Sequence, residues 1–302
     1  MKMSRLFWGW LLMCIGCSVM PNSPSALTTH ETLTLSATQT AIPTLTPVPP
    51  PIPVGQQDVW KLVFRDEFDG TVLDISKWRT CYWWDWNNQG CTNSGNHELE
   101  WYQPDEVLMD SGNLRLRAQR RSVVASDGNS YPFTSGMISS GRSREDPVSN
   151  GFVFQYGYVE MKAKLPSGRG LWPEFWMLPA GDESKPEVDI MEVLSDAPNT
   201  VHMTLHYPLG NGDVGRAKNI WVGPDLSTDW HTFALDWQPN RMVWYIDGIE
   251  RWSYSDTMYI PNQPMYLLMN LAVGGDWPGA PDSTTMFPSY YDIDYIRVWK
   301  HD

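Results

Sequence analysis

Three carboxylates, Glu187, Asp189 and Glu192, fall within six residues of a run that is otherwise apolar: Val188, Ile190, Met191, Val193 and Leu194. The run reads as a buried β-strand, in which side chains alternate between two faces. Glu187 and Asp189 then share a face, and strict alternation sends Glu192 to the other. One extra residue, a β-bulge at Ile190–Met191, brings Glu192 back beside them. Two carboxyl groups held on one face can cleave a glycosidic bond, one protonating the departing oxygen while the other attacks the sugar or activates water. Solvated acids at a strand edge are the bland alternative. The apolar neighbours imply burial on at least one side, where unpaired carboxylates are costly and their ionisation is perturbed.

Such a strand needs a β framework, and the chain supplies one. Residues 62–66, 114–118, 158–164 and 291–299 alternate apolar and polar side chains. Residues 231–237 lead through Gln238, Pro239 and Asn240 into 242–246, a hairpin closed on its far side by Asp247–Gly248. No long helical periodicity is present, and Gly and Pro punctuate throughout. The pattern predicts an all-β domain over residues 56–302, a β-sandwich jelly roll of two antiparallel curved sheets with a concave cleft.

The first 17 residues read as a secretory signal: Lys2 and Arg5, then an apolar stretch too short to span a bilayer. Gly16 before Cys17 suggests a bacterial lipoprotein signal, with the lipid anchor on Cys17, although Cys14 stands where an aliphatic residue is usual. The expected location is outside the cell, secreted or anchored at its outer surface. Residues 18–55, rich in Thr, Pro and Ser, predict a disordered spacer. The net charge of −13 and pI near 4.8 argue against nucleic acid as a partner. A neutral polysaccharide suits this balance, and 17 Trp and 13 Tyr offer flat faces on which sugar rings stack. Outside the signal only Cys81 and Cys91 remain, flanking a Trp-rich loop, and in an oxidising compartment a disulfide is expected to close it. That loop is either a pinned aromatic wall of the cleft or a hydrophobic satellite cluster.

Glu187 to Glu192, with residues 170–178 upstream, 270–279 downstream and 64–70 and 294–298 at the ends, resembles the laminarinase-like members of glycoside hydrolase family 16. The resemblance implies a retaining endo-β-1,3-glucanase with no catalytic cofactor. Glu187 would be the nucleophile, Glu192 the acid and then the base, and Asp189 a partner that sets the ionisation of the pair. Trp172 and Trp176, four residues apart, would lie against the sugars beside the cleavage point. His206 is favoured over His202, which shares its face, as the cleft histidine. Asn96, Glu100 and Trp277 would line the sugar-binding wall. A structural calcium ion would be held by Glu67, the backbone of Gly112 and Asp294. Met137 stands where relatives often carry Arg. The same chemistry on agarose, porphyran or carrageenan, transglycosylation in place of hydrolysis, a non-catalytic glucan-binding protein and a structural surface protein are the competing readings. A monomer is expected of an enzyme that slides along a polymer.

Overall fold

The computed structural model describes residues 50–84, 90–143 and 145–301. The expected signal sequence, Cys17, most of the expected spacer and residues 85–89 of the Trp-rich loop lie outside the described residues.

Two antiparallel sheets pack as a jelly-roll sandwich, as the alternation predicts. The outer sheet runs Ile249–Tyr254, Arg241–Ile246, His231–Gln238, Gly157–Lys164, Ser289–His301, Asn113–Ala118 and Val107–Asp110, with Trp60–Asp66 pairing along the second half of Ser289–His301. The inner sheet runs Val214–Val222, Thr200–Pro208, Glu187–Glu192, Leu171–Pro179, Met265–Val273 and Met137–Ser139. Between them, alternate residues of each strand meet: Val159, Met161 and Ala163 and Phe233, Leu235 and Trp237 from one sheet, Phe175 and Met177 and Leu267, Met269 and Leu271 from the other. The predicted hairpin forms, and Asp247 and Gly248 close its far side at φ 53° and 71°, the left-handed pair that a two-residue hairpin turn requires.

Every residue of Leu171–Pro179 and Met265–Val273 is buried. One face of these strands belongs to the sandwich core. The other is partly covered by a second apolar cluster in which Tyr82, Tyr102 and Met137 join Trp176, Leu178, Tyr266 and Leu268. Met137 thus serves as packing at the base of the wall. The Cys81–Cys91 disulfide pins the covering segment. Tyr82 stacks on Trp84 at 4.4 Å, and Cys81, Trp83, Trp84 and Cys91 pack against the cluster. Gly90 closes the loop at φ 72°, where a Cβ would lie 1.8 Å from the Tyr82 carbonyl oxygen, so only glycine fits.

Two expectations change. The packed domain reaches back before Gln56. Pro53 is buried, the Trp299 indole donates to the Pro51 carbonyl at 2.7 Å, and the Val54 amide donates to Glu160 at 3.0 Å. Prolines lack a donor but keep their carbonyls, so an extended proline run can still be tied down by an aromatic surface. The calcium ligands also find other partners. Arg297 takes both oxygens of Glu67 at 2.9 and 2.6 Å, Lys162 takes Asp294 at 2.7 Å, and Gly112 occupies a tight turn at φ 79°. Both carboxylates are thus paired with protein cations, and a Ca²⁺ ion, which needs several oxygens, would have to displace Arg297 and Lys162 to use them.

Replacing both cysteines by serine removes a cross-link spanning 10 residues. In the chain-entropy view the loss is about 2–3 kcal/mol, and calorimetry is expected to show a Tm roughly 5–10 °C lower.

Candidate active site

The bulge lies where the sequence places it. Asp189 pairs with Thr204 and Glu192 with His202, so three steps on one strand match two on its neighbour. On the other flank Trp176 pairs with Asp189, Phe175 with Met191 and Glu174 with Glu192, which leaves Ile190 as the extra residue. Val188, Ile190 and Met191 fill the sandwich core, and all three carboxylates turn the other way. They open into a cleft of about 770 Å³ that crosses five strands of the inner sheet. The strands beneath it align in cross-strand rows: Asn270, Glu174, Glu192, His202 and Ile220; then Leu268, Trp176, Asp189, Thr204 and Lys218; then Glu187, His206 and Arg216, with Asn270 and Leu268 buried behind the lining.

Around the carboxylates, His206 Nε2 lies 3.2 Å from Asp189 Oδ2 and 3.5 Å from Glu187 Oε1, and Lys185 Nζ lies 2.9 Å from Glu187 Oε2. Glu187, Asp189 and His206 are the one group of three potential metal ligands gathered together among the described residues. They already bond to one another, and the Lys185 ammonium on Glu187 opposes a second cation. Burial, and then the charge of Glu187, raise Asp189 to about 6 against the pull of the His206 hydrogen bond. Burial, and then the charges of Asp189 and Glu187, push Glu192 well above the usual carboxylate range. The Trp172 indole N–H, which closes no hydrogen bond of ordinary geometry, is the one group favouring its charged form. The strand therefore carries a carboxyl that keeps its proton beside one paired to an ammonium, the division that double-displacement chemistry needs.

Trp172 and Trp176 share the cleft face, each only 6 % exposed. Trp277 is 43 % exposed, edge-on to Trp172 at 5.3 Å and to His202 at 4.9 Å. Both histidines line the cleft: His206 touches the carboxylates, while burial and Lys218 lower the His202 pKa. Trp83 and Trp84 line the cleft as well as packing below it, so both readings of the Trp-rich loop hold. Asn96 lines the cleft and donates to Glu98 at 2.9 Å.

Glu100 does not line it. The strand Glu100–Tyr102 pairs in parallel with Phe133–Ser135 behind the wall, and Glu100 is fully buried, accepting from the Val273 amide at 2.7 Å. Burial raises Glu98 to about 7, and burial together with the Glu98 charge raises Glu100 well above its ordinary value. Sequence reasoning missed Glu98, Lys185, Arg216 and Lys218, which no motif marks. It also missed Glu174, although Glu174 lies two residues from both Trp172 and Trp176 and therefore on their face.

A family model described as glycosyl hydrolases family 16 matches residues 93–297. The chain is 33 % identical to glucan endo-1,3-beta-glucosidase A1 of Niallia circulans over 79 % of its own length and 38 % of that protein's. It is 32 % identical to a beta-glucanase of Rhodothermus marinus, covering 80 % and 85 %. The catalytic domain of an endo-1,3-beta-glucanase (laminarinase) from Thermotoga petrophila RKU-1 superposes with a TM-score of 0.71 at 33 % identity, covering 82 % of this chain and all of that one. The chain spans about two-fifths to about half of the length of several curated relatives.

Glu98, Glu100, Glu174, Asp189 and Glu192 all have raised pKa values. The folded chain therefore binds more protons than the unfolded chain, whose carboxyls titrate near ~4. Stability must fall as pH rises through the folded values, first near 6 for Asp189 and 7 for Glu98. Calorimetric Tm is expected to decline steadily from pH 5 to pH 8; a flat or rising profile contradicts the buried-proton account.

Proposed function

The chain belongs to glycosyl hydrolases family 16, and on that footing we propose that it is a retaining endo-glycosidase acting on internal β-1,3 bonds of laminarin-type or mixed-linkage β-glucan. The observation that carries this is the bulged strand, which turns Glu187, Asp189 and Glu192 together into a cleft walled by tryptophan. In the first step Glu187 attacks the anomeric carbon while Glu192 gives its proton to the leaving oxygen, so the glycosidic bond breaks as the glycosyl–enzyme bond forms. In the second, Glu192 takes a proton from water as the water oxygen displaces Glu187, and both groups return to their starting states. Asp189 and His206 hold Glu187 in place, and Trp172, Trp176 and Trp277 stack against the sugars. Five strands at ~4.8 Å spacing give a floor about 19 Å wide, room for several sugar units and thus for cutting within a chain.

The lipoprotein-like leader supports attachment at the outer surface of a bacterial cell. In a bacterial host, labelled palmitate is expected to enter the full chain and to be lost in Cys17→Ala.

The central test is reducing-sugar release and product sizing on laminarin, barley β-glucan, agarose and carrageenan. Oligosaccharides from laminarin or barley glucan are expected, with Glu187→Ser and Glu192→Gln each reduced by about 1000-fold or more. Cleavage of a galactan alone overturns the substrate, and binding without cleavage leaves a glucan sensor. The acid must be protonated to act, so activity is lost as pH rises through the Glu192 titration. Asp189→Asn removes one of the charges that hold that proton, and the alkaline limb of the pH–rate profile is expected to move to lower pH.

A further inference from the structure

Glu174 is a cleft carboxyl for which the two-step reaction has no use. It sits between Asn270 and Glu192 in one cross-strand row, buried to 8 % exposure yet lining the cleft. Asn270 fixes its hydrogen bonding. The Asn270 Oδ1 accepts from the Trp176 indole at 2.8 Å, and an indole N–H can only donate. The Asn270 amide nitrogen therefore faces Tyr102 and Glu174, donating to the tyrosine oxygen at 3.1 Å and to Glu174 Oε2. Oε2 is an acceptor, which leaves Oε1 to carry the proton if the group is neutral. Oε1 makes no hydrogen bond among the described residues.

Neutrality follows from the surroundings. Among the described residues no lysine, arginine or histidine forms an ion pair with Glu174. Burial, and then the charges of Glu98 and Glu192, hold its carboxyl well above the ordinary range. Glu192 must lose its proton in the first step, and a second ionised carboxyl across the strand pair would resist that loss.

We propose that Glu174 acts as a neutral carboxylic acid whose Oε1–H donates a hydrogen bond to a hydroxyl of the sugar seated beside Glu192, making it a specificity-determining residue of the cleft. This rests on the glycan-hydrolase reading of the same site. Donation to a sugar hydroxyl and acceptance from Asn270 are both met by an amide, so Glu174→Gln is an isostere of the working state. An ionised carboxylate could only accept, and glutamine would then be a poor replacement.

The experiment measures kcat and KM of the full chain on whichever polysaccharide of the panel it cleaves, between pH 5 and 9, with Tm alongside. The variants are Glu174→Gln, Glu174→Ala and, in case the alanine cavity prevents folding, the similarly sized Glu174→Met. Glutamine is expected to keep kcat/KM within about threefold, with the alkaline limb unmoved because Glu192 sets it. Alanine or methionine is expected to lose roughly tenfold, the scale of one hydrogen bond to a neutral group. A glutamine variant as inactive as Glu192→Gln would make Glu174 an acid or a required anion and overturn the proposal. An alanine or methionine variant with lowered Tm but unchanged kcat/KM would overturn it in favour of a purely structural role. A wild-type chain that cleaves nothing removes the underlying reading and this proposal with it, whereas a wild type that cleaves while alanine matches it sinks only the role of Glu174.

Discussion

A single inserted residue decides which side of the inner sheet is chemical. If Ile190 and Met191 were paired in regular alternation instead of as a bulge, Glu192 would point between the sheets, among Phe233, Leu235 and the other side chains of the sandwich core. An ionisable group there would meet no partner and no water, at a cost that burial of an unpaired charge makes prohibitive. With the bulge, the apolar side chains of the strand remain on the core side and the acids on the other. The core and the cleft are thus specified by one local register shift, and the long strands on either side hold it: nine residues each in Leu171–Pro179 and Thr200–Pro208.

The second organising constraint is scarcity of solvent beneath the cleft. Five raised carboxyls, Glu98, Glu100, Glu174, Asp189 and Glu192, lie on its floor or just behind it. At the opposite end the Lys185 ammonium and the His206 imidazole meet Glu187. Charge therefore divides along the strand: compensation where a carboxylate must be ionised, desolvation where a carboxyl must keep its proton. The apolar cluster of Tyr82, Tyr102, Met137, Trp176 and Tyr266 maintains that gradient by excluding water from below.

Much of this was legible in the sequence. Period-two alternation marked the strands, and the spacing of Glu187, Asp189 and Glu192 marked the bulge, because both are local. The failures were tertiary. Glu100 and Asn96 sit in one short segment, but the parallel pairing of Glu100–Tyr102 with Phe133–Ser135 turns Glu100 behind the wall, and no local pattern announces a three-residue parallel pair. Glu67 and Asp294 were read by their oxygens alone, and the cations that claim them, Arg297 and Lys162, come from elsewhere in the outer sheet. Glu174 could have been found by counting twos from Trp172. Its meaning could not, since that depends on Asn270, nearly a hundred residues away and fixed in its own orientation by Trp176. The proline run misled for a simpler reason: composition reports what a segment cannot donate and is silent about what it can accept.

That run bears on how a polymer reaches the site. Tyr158, Glu160 and Trp299 alternate with core residues and so face away from the inner sheet, and Pro51 and Val54 are fastened to this back surface. Among the described residues, the segment from Pro51 to Val54 thus lies on the side opposite the cleft floor. A long glycan laid across the five strands therefore does not cross the Pro51–Val54 segment, which is fastened to the opposite surface.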